Sequence, residues 1–583
     1  MPKRWRIATH DALRVAALER AAGVSPVVAQ LLLLRGIECP DAARHFLDAK
    51  LTGLRDPEEL GGVSQAADLI HAAISAGKRI VVYGDYDADG MTATAILLGC
   101  LKLLRANCTF HVPNRMDDGY GLHCESLRQL KSQGAELVIT VDCGIASIEQ
   151  ARTAAELGLQ LIITDHHQMA DTLPQAAAVV HPRLPQAPYP FPDLCGAAVA
   201  LKLAWALCQR ASDAKRVSEP MRNFLLQAVG LAAIGTVADV VPLVDENRIL
   251  VRHGLMSLRN YPTVGVRELV RLAKLDQKPG LEGEDLAFAL APRLNAAGRL
   301  GQAELAIELL TTTSVERAAE LAKYLDELNE TRKTLERSVT RSAQQQINDR
   351  FDPAKHAALV LADHDWHPGV IGIVAGKLAE KYHRPVVMIA LDKIGVKPGS
   401  GSGRSVAGFN LHAALGECSE HLVSHGGHTA AAGLRIDERH VDAFRTAFCA
   451  CAERCISTEQ RTAELFVDAE VPLAGLTLQT VLQIDGLSPF GHGNERPLLC
   501  TSDVRLAAPP QRMGGAGRHL SLLLVQHGVQ MRAVAFGNGD WETELARVDQ
   551  PISVAFRPVI NAFRGRRSVE VHLQDWKREK ADV

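Results

Sequence analysis

Three carboxylates at alternate positions, Asp85, Asp87 and Asp89, follow the apolar run Ile80–Tyr83 within VVYGDYDADGMTAT. Acids this close repel one another and resist ionising together. A divalent cation removes that penalty, and carboxylate oxygens suit Mg²⁺ or Mn²⁺. The competing reading is a solvated acidic turn. Asp142 follows a second apolar run, Leu137–Val141, and Asp165-His166-His167 follows a third, Leu161–Thr164. Imidazole is a common ligand for Mn²⁺ and less so for Mg²⁺. One histidine could bind metal while the other faces substrate, with Asp165 holding an imidazole by a hydrogen bond. Paired surface or capping histidines are the alternative. Asp239 closes the apolar stretch Leu225–Asp239 and is either a helix-end acid or one more ligand.

These residues need elements to position them. Strand-like runs at Ile80–Tyr83, Cys108–Val112, Leu137–Val141, Leu161–Thr164 and Ala176–Val180 alternate with helical stretches at Met91–Leu104, Leu122–Gln133, Ser147–Leu157 and Gln168–Thr172. Such alternation predicts a mostly parallel sheet with right-handed crossovers. Each of the first four strands ends in residues suited to metal or phosphate, the second in Pro113-Asn114-Arg115. Open α/β sheets bind ligands at the carboxyl ends of their strands. Residues 1–75 read as a helical leader packing on this sheet.

Downstream, APRLNAAGRL sets Arg293 and Arg299 around Asn295 and small residues, a pattern suited either to phosphate or to a plain helix start. Residues 314–350 lack Gly and Pro and predict one long connecting helix. A second α/β unit follows, with strands at His356–Ala362 and Pro385–Leu391 around a helix at Gly369–Tyr382. In DHDWHPG, Trp366 beside His367 offers either a face for a base or a packed core ring. The loop-like KPGSGSGRS, which contains Arg404, and the segment His425-Gly426-Gly427-His428 suit an anion cradle of backbone N–H groups over a plain flexible turn. From about residue 462, short β runs with turns suit a small barrel of the OB type. Residues 501–583 carry 12 basic and 9 acidic side chains, with Arg557, Arg564, Arg566 and Arg567 clustered near Phe536 and Phe563. A basic face with aromatic rings is how such barrels hold single strands.

The 583 residues predict three or four domains at roughly 150 residues each. With 64 basic and 67 acidic residues the net charge is −3, so any nucleic-acid surface must be local. The twelve cysteines show no zinc-like spacing and suit reduced, partly buried thiols. No run was expected to reach the roughly 20 apolar residues of a membrane span, and the N-terminus lacks a signal-peptide core. The expectation is a soluble cytoplasmic protein without a membrane partner.

Taken in order, VVYGDYDADGMTAT, VPNRMDDGYG, VITVDCGIAS, ITDHH, GTVADVVPL, APRLNAAGRL, DWHPGVIGIVA, SGSGRS and SHGGHTAAAG make the chain resemble the RecJ-type single-strand-specific 5′→3′ exonucleases of the DHH phosphoesterase superfamily. The resemblance implies an α/β fold: a parallel-sheet DHH domain (76–313), a connector helix (314–350), a smaller DHH-associated domain (351–458) and an OB-fold barrel (459–583) after the leader. It implies two Mn²⁺ or Mg²⁺ ions on Asp87, Asp89, Asp142, His166 and Asp239, with Asp85 adjoining, Asp142 bridging and His167 facing substrate. It further implies strand binding by Arg404 and the Gly426-Gly427-His428 segment. Arg115, Arg293 or Arg299 could grip a terminal phosphate. Tyr83 stands where many superfamily members carry histidine, so either one metal is held less tightly or Asp85 takes part instead. Single-stranded DNA is the implied substrate, with a single-strand-binding protein and a helicase as partners. The alternatives are a phosphoesterase for short oligonucleotides or cyclic dinucleotides, and a non-catalytic DNA-binding scaffold.

Overall fold

Consecutive β-branched and aliphatic residues form short strands buried on both faces, as a helix-covered parallel sheet requires. In the computed structural model, which describes residues 3–114, 120–212, 216–352, 355–457, 461, 463–563 and 565–578, five such strands lie in the order Cys108–His111, Ile80–Tyr83, Leu137–Val141, Gln160–Thr164, Ala178–Val180. Every pairing among them is parallel. The helices Ala88–Leu103, Cys124–Ser132 and Ile148–Glu156 occupy the predicted intervals, whereas Gln168–Thr172 forms no helix.

The chain divides into two units. One comprises Asp56–Asp239 and His253–Ala463 and contains the parallel sheet. Its 20-residue helix Glu219–Ala238 is long and apolar enough to cross a membrane, contrary to expectation, but it packs against Ala88–Leu103 and Gly196–Ser212. The long helix Val315–Arg350 starts at Ser314, whose hydroxyl accepts the Arg317 N–H at 3.1 Å. Its first half packs on Val264–Leu272 and Ala291–Arg299. Its second half contributes Val339, Ala343 and Ile347 to the core of the associated sheet.

That second sheet runs Ser424–Gly427, Ala431–Ile436, Gly399–Arg404, Val386–Ala390, Leu359–Asp363. The glycine-rich segment is therefore a strand and not a loop. It pairs antiparallel with Val386–Ala390 on one side and Ala431–Ile436 on the other. Backbone N–H groups taken up by two ladders cannot also cradle an anion.

The other unit comprises Lys3–Arg55, Val240–Arg252 and Glu464–Val583. Leu499–Leu506 pairs with both Ile552–Phe563 and His519–Gln526, and the remaining pairings close a five-stranded barrel. Residues 3–55 do not pack on the parallel sheet as expected. Val28, Leu31 and Leu32 instead join Leu499, Leu520, Phe556 and Val571 in the barrel unit's core. Arg4–Ile7 also forms a strand, parallel to Glu464–Val467. Of the leader, Pro57–Glu59 and Val63–Ser75 belong to the parallel-sheet unit and lie against its helix Gly196–Ser212.

Candidate metal centre

The carboxyl ends of the strands and the ends of two helices bring seven acidic or imidazole side chains together. Asp87 caps the helix Ala88–Leu103, its Oδ1 accepting the Gly90 N–H at 3.0 Å. Asp89, in the first turn of that helix, accepts the Gly196 and Ala197 N–H groups at 2.7 and 2.9 Å, the start of the helix Gly196–Ser212. Asp142 leaves its strand with φ 62°, a left-handed backbone that Asp tolerates better than most residues. Asp239 caps the C-terminus of Glu219–Ala238. His166 Nε2 lies 3.1 Å from Asp142 Oδ1, 3.6 Å from Asp239 Oδ2 and 3.8 Å from Asp89 Oδ2.

Three sets of possible ligand atoms each lie within 4.8 Å of one another: Asp85, Asp87, Asp142; Asp89, His166, Asp239; and Asp142, His166, His167. The first two share no residue, and Asp142 lies beside both. Asp142 Oδ1 and His166 Nε2 are buried without a hydrogen-bond partner among the described residues. Buried polar atoms are ordinarily satisfied, so these two fit an ion better than a closed core. Burial, then the charges of Asp89, Asp87, Asp85 and Asp239, hold the Asp142 carboxyl well above the usual range. Burial, then the charges of Asp89 and Asp87, push Asp239 up to about 8. Burial pushes His166 down to about 4, leaving it the neutral imidazole a metal needs.

Asp165 binds no metal in any of these sets; it holds the histidine loop. Its Oδ1 accepts N–H bonds from the His166 and His167 backbones at 2.7 and 3.1 Å and from His167 Nδ1 at 2.8 Å, and its Oδ2 accepts the Ile145 N–H at 2.9 Å. Burial would raise its pKa, but these bonds outweigh it and hold it at about 2. Burial would lower His167, yet Asp165, with Asp239 and Asp87, raises it to about 9.

Several contributors escaped the sequence reading. The Tyr120 hydroxyl lies 3.2 Å from His167 Nδ1 and donates to the Asp142 carbonyl at 3.3 Å. His181 Nε2–H donates to the His167 carbonyl at 2.8 Å. A Cβ on Gly196 would stand 2.5 Å from Asp142 Oδ1, and one on Gly235 2.4 Å from Asp89 Oδ1. The only signal for these glycines was their place in small-residue runs, GAAVA and GLAAIG. Gly196→Ala is expected to displace Asp142 and lower the cleavage rate by about 10²-fold with the fold intact by circular dichroism. A wild-type rate would show the contact to be unimportant.

The other expected residues separate. Tyr83 is buried, donates its hydroxyl to the Gly121 carbonyl at 3.2 Å and belongs to none of the ligand sets. Asn295 Oδ1 accepts the Ala88 N–H at 2.8 Å, so it positions the acidic turn. Arg293 is held by Asp326 at 2.8 Å and by the Ala289 carbonyl at 2.7 Å, which ties it to the long helix. Trp366 is 5% exposed within the core, so it offers no face to a base. His367 caps the helix Pro368–Tyr382 through Nδ1, which accepts the Gly369 N–H at 3.0 Å. Arg299 donates to the Gly369 carbonyl at 3.2 Å, and a Cβ on Gly372 would lie 3.0 Å from Arg404 Nη2, so both guanidiniums stand at this helix's first turns. Gly426, Gly427 and His428 are exposed at the sheet edge. Gly427 pairs Ala432 and Ala431 pairs Arg404, which sets that edge two strands from Arg404. Asn114 lies near Gly301. Arg115 and Arg564 lie outside the described residues, as does the Phe563 side chain. On the barrel, Phe536 is 53% exposed between His519 and His572, and Arg566 and Arg567 are exposed.

A five-stranded parallel sheet with acids and a DHH tripeptide at its strand ends, followed by a smaller mixed sheet, defines a DHH-type protein. Residues 79–236 match the DHH family N-terminal domain, 355–454 the DHHA1 domain and 467–575 the RecJ OB domain. The chain is 36% identical over 573 residues to the single-stranded-DNA-specific exonuclease RecJ of Bacillus subtilis (98% of this chain, 70% of that protein). It is 34% identical over 571 residues to that of Salmonella typhimurium (96% of each). A crystal structure of RecJ from Thermus thermophilus in complex with Mn²⁺ superposes with a TM-score of 0.83 at 34% identity, over 99% of this chain and 80% of that one. The chain belongs to the RecJ family.

Proposed function

We propose that this protein is a divalent-metal-dependent exonuclease that hydrolyses single-stranded DNA from the 5′ end. The observation that carries this reading is the convergence of two donor sets with no residue in common, Asp85/Asp87/Asp142 and Asp89/His166/Asp239, with Asp142 Oδ1 3.1 Å from His166 Nε2. Thermus thermophilus RecJ structures with Mn²⁺ and with Mg²⁺ support the choice of ion. When bound, two such ions supply Lewis acidity and lower the pKa of the attacking water. Asp142 belongs to the first donor set and reaches the second at His166. His167, held protonated by Asp165 and 37% exposed, faces the phosphate and offsets charge developing on its oxygens. Arg299 and Arg404 at the start of Pro368–Tyr382 suit a terminal phosphate. On the barrel, Phe536 with Arg566 and Arg567 suits a single strand.

The barrel favours long polymers over dinucleotides, and the retained ligands argue against a non-catalytic scaffold. DNA repair and recombination in the cytoplasm, alongside a single-strand-binding protein and a helicase, is the setting this chemistry fits. The test uses 5′- and 3′-labelled single and double strands with each metal. Metal-dependent release of mononucleotides from the 5′ end of single strands is expected. Equal attack on duplex, or cleavage confined to dinucleotides, would overturn the assignment.

A further inference from the structure

Within the barrel-containing unit a cavity of about 240 Å³ opens between the helix Pro40–Asp48 and the start of Asp245–Asn260, lined in part by Arg35, His45, Phe46, Asp245 and Arg248. Arg248 is 2% exposed. Its Nε–H donates to the Phe46 carbonyl at 3.0 Å and its Nη1–H to the Leu487 carbonyl at 2.7 Å, with the guanidinium 3.8 Å from the Phe46 ring centroid. Nη2 is buried and has no hydrogen-bond partner among the described residues. Both partners of this guanidinium are thus neutral carbonyls. The carboxylate on the same cavity, Asp245, is already held by Arg55 in two bonds of 2.6 and 2.9 Å. After burial, the charges that act on Arg248 are those of Arg252 and Arg35, both of its own sign, and together they lower its pKa to about 9. Arg252 donates to the Leu47 carbonyl, and Arg35 to Asn494 Oδ1 and to the Leu31 and Glu495 carbonyls. Asp468 and Glu495 offset part of the Arg35 charge, but no acid does so for Arg248.

A buried cation without a counter-ion is costly. We propose that this cavity is a binding site for a compact phosphate-class oxyanion that supplies the counter-charge Arg248 lacks. Among the described residues, Nη2 is the one guanidinium nitrogen whose donors are not taken up, and a guanidinium suits phosphate oxygens. Three neighbouring guanidiniums suit a dianion better than a single negative charge. The cavity holds the ion with several waters, at about 30 Å³ each. The site is independent of the nuclease reading, because no residue of the metal centre lines it.

The test is thermal unfolding of the full chain with inorganic phosphate, with EDTA present and ionic strength held constant with chloride. A rise of about 3 °C is expected at roughly tenfold excess over Kd. Arg248→Met should lose the shift and Arg404→Ala should keep it. Ala42 lines the cavity from an exposed helix position, so Ala42→Trp fills it without removing a charge and should also lose the shift. It decides the matter if Arg248→Met does not fold. No shift in the wild type, or an undiminished shift in both variants, overturns the site. Thymidine 5′-monophosphate, with thymidine as blank, separates the sources: a larger shift than orthophosphate marks a nucleotide's terminal phosphate, an equal one the free ion.

Discussion

Asp142→Asn is expected to lower single-strand cleavage by about 10³-fold or more while strand binding survives, and to raise the melting temperature of the metal-free protein. The two effects share one cause. Asp142 stands beside both donor sets and is 1% exposed, so its ionised form feels Asp85, Asp87, Asp89 and Asp239 with little water to screen them. Its carboxyl is held above the range of an unfolded chain, and a carboxylate raised in this way makes the folded state less stable at neutral pH. Asparagine keeps the shape and removes the charge, which relieves the repulsion and the metal site together. Active sites commonly trade stability for function in this manner. Single-turnover release of labelled mononucleotide and strand anisotropy measure the two sides. Retained cleavage at the wild-type rate would remove Asp142 from the mechanism, and a lowered metal-free melting temperature would contradict the electrostatic account.

The acidic centre was legible because its residues follow recognisable strands. Ile80–Tyr83 and Leu137–Val141 appear with the predicted bounds, and the polar residues after them fall at one edge of the parallel sheet. What the linear pattern does not carry is the partner of each element. The helices in residues 3–55 are amphipathic or apolar by themselves, and nothing local distinguishes the barrel core they join from the parallel sheet. Gly399–Arg404 has the composition of a turn, yet two neighbouring strands supply its hydrogen bonds and override that preference. Trp366 and Arg293 show the same limit. A ring or a guanidinium suited to nucleic acid is equally suited to a core or a carboxylate, and only three dimensions separate the two. The pairing of Asp165 with an imidazole was foreseeable from adjacency, but its four hydrogen bonds, which make it the hub of the histidine loop, were not.

Mn²⁺ affinity should climb steeply as pH rises towards about 8. Metal binding needs carboxylates, and in the metal-free chain Asp239 keeps its proton up to about 8 through burial and the charges of Asp89 and Asp87. Asp142 is held well above its usual range as well. His166, at about 4, is neutral throughout and releases nothing. Each proton displaced steepens affinity by about tenfold per pH unit, so two give roughly 100-fold. Titration calorimetry in buffers of different ionisation enthalpy counts them, and a pH-independent affinity with no proton released would show that the acid cluster is not the binding site. The same groups fix the sign for stability. Between the unfolded value near 4 and the folded value of about 8, the native state holds the extra proton, so metal-free stability falls as pH rises. His167 acts in the same direction: raised to about 9, it contributes stability that is full below its unfolded pKa and lost as pH rises through the folded one. Between pH 6 and 9 the melting temperature in EDTA should therefore decline, while saturating Mn²⁺, which replaces the displaced protons as the counter-charge for the acids, should flatten that decline.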